Sequence, residues 1–564
     1  MSIGRSASRR TVAIVLAFAL GAAGCVARAP VDDADPGGTL TTVIDAEPVL
    51  DPQLASFTRD IEIVNMVFEP LLRFDPKTLR PVPGAAKALP EISADGLTYR
   101  ITIRDEAKYS DGTPVRAADF AYGLSRLCDP SIKGPYASIG YDVIGCAEWS
   151  QLDPKKDAPE KQRAAKEKLS GTGIRATADK ELTITLTHPA AYFSSILALW
   201  VFAPTRESDI AHGGDTWTEP ATYIGNGPFV LSAWKHNERL VFSPNRHYRG
   251  PTKLKQWTKL MIVEPAVALN AYRHGEIDVF AFSATAGAGQ LLSEIASDGA
   301  LAKEATRITN VCTNYVGFNA SRAPFDDPAV RLAFAKALDR DALVRDVLGG
   351  LGSPTLSLIP PGLPGYDQAD TVQRFDLAEA RRLLASSKYA AALPPIVIPH
   401  NLQVFSRIRS EWVRDQWRTN LGVDVTTEQV DGPSLTQRFR KPETVPQVFF
   451  LAWCADYPDQ QDWLSLLFHS SSQITGRAWM GFADAEFDRL VTAADRERDQ
   501  ARRDDLYQTA SRMLSARAVV AFLYNSQGLE LRKPWVRGIV DSSLGWRLGL
   551  TAGIEQVFVA KPGR

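Results

Sequence analysis

At 564 residues the chain is longer than one hydrophobic core usually supports, so two or three domains are expected. Its composition, 45% hydrophobic and 23% charged, excludes an extensively disordered chain. A formal net charge of −1 gives no basic footprint for nucleic acid.

Arg5, Arg9 and Arg10 precede an apolar stretch from Val12 to Leu20 and then Gly21-Ala22-Ala23-Gly24-Cys25. A charged start, a short apolar run and small residues are the order of a cleaved secretory signal over residues 1–24. The run is too short to span a bilayer by itself. Its end resembles a bacterial lipobox, which implies cleavage before Cys25 and diacylation of that cysteine, although Ala22 stands where leucine is more usual. An ordinary secretory peptide with Cys25 unmodified is the alternative, and Ser8-Arg9-Arg10 is a poor match to a twin-arginine signal. Loss of residues 1–24, with three arginines and no acid, would take the net charge from −1 to −4. Residues 25–38, rich in proline, aspartate and glycine, read as a flexible tether. No later stretch reaches the roughly 18 apolar residues of a membrane span, and Tyr192 to Pro204, the nearest, reads as core.

Leu40 to Ile44 opens the first strand and ends at Asp45-Ala46-Glu47-Pro48. After the Asp95-Gly96 turn, Leu97, Tyr99, Ile101 and Ile103 alternate with polar residues as in a half-exposed strand. A helix begins near Ala117 and runs through Tyr122 and Leu124, and a second, solvated one is expected from Asp153 to Ser170. Leu182, Ile184 and Leu186 alternate again. Ile224 to Phe229 is a glycine-proline turn before a strand at Leu240 to Phe242 and another turn at Asn245 to Gly250. Asn314 to Asn319 reads as a strand. A helix follows with Asp327 as N-cap, Pro328 at its first position and Gly349-Gly350 beyond its end, broken near Asp339-Arg340-Asp341. Further helical patterns cover Asp376 to Leu384 and Asp484 to Leu514.

Between the last two lies the sharpest signal. Val448 to Trp453 is apolar throughout and suits a strand covered on both faces, although a short buried helix fits the same run. Cys454-Ala455-Asp456-Tyr457-Pro458-Asp459 then turns the chain, since proline cannot donate to a ladder. A carboxylate at the end of a covered strand meets a cationic ligand group with little water between them. An aspartate in a turn also serves simply as a solvated turn-former.

Trp453-Cys454-Ala455-Asp456-Tyr457 resembles the motif of the oligopeptide-binding branch of family 5 extracellular solute-binding proteins of ABC importers. The blocks Asn65 to Pro76, Pro83 to Ala86, Asp95 to Tyr99 and Asp111 to Phe120 resemble that family as well, as do Asp327 to Gly350 and Pro360 to Tyr366. The resemblance implies an α/β, two-lobed periplasmic-binding-protein-like fold with an extra inserted domain and a cleft between lobes. Lobe I would take residues 39–58, 190–311 and 524–564, the inserted domain 59–189 and lobe III 312–523. It implies that Asp456 holds a peptide's α-ammonium while Trp453 and Cys454 pair with its backbone. Ala46 and Glu47 would face the peptide from the other side, unless they form a surface turn. Tyr315 would be an aromatic wall if it does not lie in the core. Five cysteines less Cys25 leave Cys128, Cys146, Cys312 and Cys454, for which three pairings are open, as are four buried thiols. The resemblance points to Cys312 with Cys454 and thus Cys128 with Cys146. Where the resembled proteins carry a basic residue shortly before the motif, this chain has Val448, Phe449, Phe450 and Leu451.

No zincin, Cys-x-x-Cys, nucleophile-elbow or phosphate-loop motif is present, and the seven histidines are dispersed, so no catalytic residue, metal or cofactor is assigned. The expected protein is a monomeric, extracytoplasmic receptor, lipid-anchored to the cell membrane and partnered by an ABC permease with its ATPase subunits. The wider family's ligands, namely haem, metal chelates and oligosaccharides, remain open, as do a secreted enzyme and a sensor.

Overall fold

Alternating burial is what the first strand's sequence demands, and it is what β1 (Thr39–Ile44) shows: Leu40, Thr42 and Ile44 are buried and the residues between them are not. The computed structural model describes residues 38–284, 288–439, 442–472, 479–545, 549 and 551–560, all within the unit Ala34–Arg564. The signal segment, Cys25 and all but the last residue of the tether lie outside the described residues. Among the described residues no helix is long and apolar enough to cross a membrane.

Helix α1 (Thr58–Val67) is buried from Asp60 onward. The segment that follows builds its own small sheet from β2 (Glu91–Ile92), β3 (Thr98–Thr102), β4 (Ile174–Ala176) and β5 (Glu181–Thr185) in the order β2-β3-β5-β4, all antiparallel. Tyr99, Ile101, Leu182 and Ile184, the predicted alternating residues, are buried there. Helix α2 (Ala117–Leu127) packs on this sheet. Cys128, just past its end, is bonded to Cys146. Helix α3 (Pro159–Lys168) buries no residue, as its Lys/Glu/Ala composition predicts.

The rest of the chain is organised by one nine-stranded sheet. It adds to β1 the strands β6 (Phe229–Lys235), β7 (Arg239–Pro244), β8 (Gln256–Met261), β9 (Val279–Ser283) and β10 (Ala305–Phe318). Helix α4 (Pro328–Lys336) comes next, its first turn capped by Asp327, whose Oδ1 accepts from the Ala329 amide at 2.8 Å. The predicted break follows, with Asp339 capping a fresh start at Arg340. Then come β11 (Gly352–Pro354), β12 (Ile396–His400), helix α5 (Val404–Leu421), β13 (Val425–Gln429) and β14 (Val448–Cys454). Helices α6 (Ala485–Arg496) and α7 (Gln500–Arg517) and strand β15 (Val520–Arg532) complete the set. The sheet runs β14-β10-β15-β9-β1-β8-β7-β6, with β11 also on β15, while β12 and β13 pair separately and in parallel.

Two expectations change. The single helical pattern from Asp484 to Leu514 is two helices, because Asp484 caps the first and Asp499 the second, each side chain taking amides of the turn that follows it. Strand β10 begins at Ala305, well before Asn314, because its first half is polar and largely exposed. The expected lobe boundaries at 311/312 and 523/524 fall inside β10 and β15, which pair along nearly their whole lengths with register irregularities after Thr309 and Asn314.

Candidate functional site

Strand β14 lies at the end of the large sheet. One edge is in antiparallel register with β10, from Phe318↔Val448 to Cys312↔Cys454, and the other joins no ladder among the described residues. Cys312 and Cys454, opposite each other in that register, are disulfide-bonded. The strand was expected to be covered on both faces and is so only at its start. Val448 and Phe449 are buried, whereas Ala452 and Cys454 are exposed. The second half therefore offers an open edge with unpaired backbone groups.

The turn after the strand is held at several points. The Ala455 amide donates to Val311 O at 2.9 Å, which extends the register by one residue. Arg503, buried on α7, grips Asp459 with two hydrogen bonds of 2.6 and 3.0 Å, and Asp459 in turn accepts from the Gln461 amide. These contacts fix Asp456 where it is only 8% exposed. Its Oδ1 accepts from the Tyr136 hydroxyl at 3.2 Å, and its own amide donates to Asp462 Oδ2 at 3.2 Å. Tyr136 comes from the inserted segment and packs edge-on against Trp200, ring centres 5.0 Å apart. Asp456 Oδ2 is buried with no hydrogen-bond partner, an acceptor directed at a donor from elsewhere.

Burial raises the Asp456 carboxyl to about 7, against a small opposing effect of the Tyr136 hydroxyl. Burial first, and the Asp456 charge second, holds Asp462 well above the carboxylate range, although the Asp456 amide and the Trp453 indole face it. Burial and the neighbouring charge both make it costly to ionise these two acids, and a ligand ammonium beside Asp456 would offset that cost.

The remaining predicted residues are placed differently. Trp453 is half-buried on β14, on the side facing Asp462. Tyr315 is 1% exposed and packs in the main core with its hydroxyl unpartnered, so it presents no aromatic wall in this state. Ala46 and Glu47 follow the end of β1, half-buried, but the Glu47 carboxylate is occupied: His236 Nδ1 lies 2.6 Å and the Asn237 amide 2.8 Å from it. Only main chain is left to face a ligand there. Sequence reasoning missed Tyr136, for which no local signal exists, and Asp462, which the Asp456-x5-Asp462 spacing across a proline turn could have flagged. Among the described residues no group of three or more His, Cys, Asp or Glu is placed to hold a metal ion.

The family model for bacterial extracellular solute-binding proteins, family 5 Middle, matches residues 80–474. The periplasmic oligopeptide-binding protein OppA of Salmonella typhimurium is 29% identical over 497 residues, 87% of each chain. The oligopeptide-binding protein OppA of Bacillus subtilis is 27% identical over 522 residues, 90% of this chain and 91% of that one. The Escherichia coli murein tripeptide binding protein MppA superposes with a TM-score of 0.77 and 26% identity, covering 94% of this chain and 100% of its own. The two-lobed periplasmic solute-binding architecture of that relative is therefore the architecture here. With well over half of its length matched, and an open-edged strand ending in a buried acid where the family motif falls, the chain belongs to the family 5 bacterial extracellular solute-binding proteins.

Proposed function

We propose that the protein captures extended oligopeptides outside the cytoplasm and hands them to an ABC permease driven by separate ATPase subunits, without turning them over. The observation that carries this reading is the buried, unpartnered Asp456 Oδ2 at the end of an open strand edge. Backbone pairing along Trp453 and Cys454 gives affinity that ignores side chains, and Asp456 fixes the direction by taking the α-ammonium. The main chain at Ala46 and Glu47 meets the peptide from the opposite lobe. Lobe I comprises 39–58, 190–311 and 524–564, the inserted domain 59–189 and lobe III 312–523, with closure over the peptide as the two-state event. The receptor works as a monomer tethered through lipid on Cys25, so Cys25→Ser should move it from the membrane to the soluble fraction of its host.

Losing one partner of a buried, hydrogen-bonded ion pair costs about 3–5 kcal/mol, so Asp456→Ala should weaken binding by roughly two to three and a half decades. Calorimetric titration with short alanine peptides, free and N-acetylated, tests this. Acetylation should abolish tight binding, and equal affinity for both forms would refute the assignment.

A further inference from the structure

His236 stands at the tip of the hairpin formed by β6 and β7. Its two ring nitrogens each meet a carboxylate: Nδ1 lies 2.6 Å from Glu47 Oε1, and Nε2 lies 3.2 Å from Glu219 Oε1. The ring lies against Trp234, centres 4.2 Å apart. Glu47 Oε2 accepts from the Asn237 amide at 2.8 Å, so the hairpin tip takes both oxygens of that carboxylate. The other charges nearby are engaged: Lys235 and Arg239 pair with Glu238, and Asp45 pairs with Arg59. A neutral imidazole carries one N–H, and only the imidazolium donates to two carboxylates at once. The bond to Glu47 foremost, with the Glu219 charge beside it, raises His236 above the usual imidazole value against a small cost of desolvation.

The bridge holds the chain between β1 and α1. From Val49 onward that chain has other ties: the Val49 and Phe57 amides each donate to buried Asp60 at 3.0 Å, and Leu50 O accepts from the Tyr223 hydroxyl at 2.5 Å. Ahead of Val49 the Ile44 carbonyl, the last of β1, accepts from the Ile262 amide. Among the described residues, the hydrogen bonds of Asp45 to Pro48 are those of the Glu47 side chain with the hairpin tip. The main chain of Ala46 and Glu47 is thus left unpaired, and its place is set through one carboxylate. We infer that His236, bridging Glu47 and Glu219 as the imidazolium, is the positioning residue that fixes the main chain of Ala46 and Glu47 for the peptide, and that this wall loosens as the ring loses its proton. The inference rests on the peptide reading above and adds to it a residue that acts through Glu47. The contribution of the bridge is complete at low pH and fades as pH rises through the raised imidazole value.

Calorimetric titration of wild type and His236→Gln with trialanine, free and N-acetylated, between about pH 6 and about pH 9 tests it. The side chain is half-exposed, so its replacement leaves the core intact. Asp456 and the ligand's amine titrate alike in both proteins, and the ratio of the two Kd values isolates His236. Glutamine donates to one carboxylate at a time, as the neutral ring does. Wild type should therefore bind free trialanine roughly three- to tenfold more tightly than the variant near pH 6 and equally near pH 9. His236→Arg, charged throughout and with donors for both carboxylates, should match wild type near pH 6 and exceed it near pH 9. Proton NMR of the empty protein, with the His236 signal assigned by its loss in His236→Gln, reads the bridge itself: its midpoint should fall in Glu47→Gln. A Kd ratio that does not change with pH, or a midpoint unmoved by Glu47→Gln, overturns the inference. No binding of trialanine, or none that acetylation weakens, refutes the peptide reading instead, and the NMR titration then still decides whether the bridge exists.

Discussion

The acid proposed to hold the ligand's ammonium titrates near neutrality. With burial holding its carboxyl at about 7, Asp456 carries a proton below that pH, and binding an ammonium there must expel it. Peptide affinity should therefore fall roughly tenfold per pH unit below about 6. It should fall again above about 8, as the ligand's own α-amino group loses its charge. Calorimetry between pH 5 and 9 checks this, and a flat profile would remove the proton exchange. Folding runs the opposite way. A carboxyl raised above its unfolded value of about 3.9 stabilises the fold below that pH and loses this contribution as pH rises through about 7. Asp456→Asn should accordingly gain thermal stability relative to wild type as pH rises through 7, while Asp495, also raised to about 7 by burial, keeps its own dependence in both proteins. Asp456 was legible because an apolar run ends at it within one short stretch. Its donor Tyr136 lies 320 positions away, so no local pattern could betray it.

Element by element, the sequence patterns hold where burial is periodic and fail where it is not. Alternation found β1, β3 and β5, and Asp-Pro found the start of α4. The exposed first half of β10 has no alternation to read, and the break between α6 and α7 is set by a cap inside a continuous polar stretch. The edge strand itself depends on β10. Cys312 and Cys454 close a loop with a sequence separation of 142, against 18 for Cys128 and Cys146. In the chain-entropy account the longer loop contributes about 5 kcal/mol and the shorter about 3. Chemical denaturation of the two Cys→Ser double variants should show the larger loss for the 312/454 pair. Peptide binding should suffer more in that variant, since this bond joins β14 to β10 beside Asp456, whereas the 128/146 bond acts only through the loop that carries Tyr136. Equal losses would mean that strain or residual structure outweighs loop closure.

At the scale of the whole molecule, two long strands carry the connection between the parts of the sheet that bear β14 and those that bear β1. Strands β10 and β15 run side by side through it, and their ladder is interrupted between Thr309 and Thr313 and again between Asn314 and Tyr315. An interruption lets two strands bend without breaking the pairing on either side. The ligand edge and the interruption are coupled directly, because Val311, within it, accepts from the Ala455 amide just before Asp456. If a peptide is held as proposed, by Asp456 from one lobe and by the main chain at Ala46 and Glu47 from the other, it favours the closed arrangement, in which both contact it. Hydrogen exchange should thus find the amides of 310–312 less protected than those of 315–317 in the empty protein, with protection rising on saturation with peptide. The flanking ladder should hardly change, since it is paired in both states. If protection rises evenly along β10 instead, the peptide stiffens the sheet as a whole and closure does not turn on this interruption.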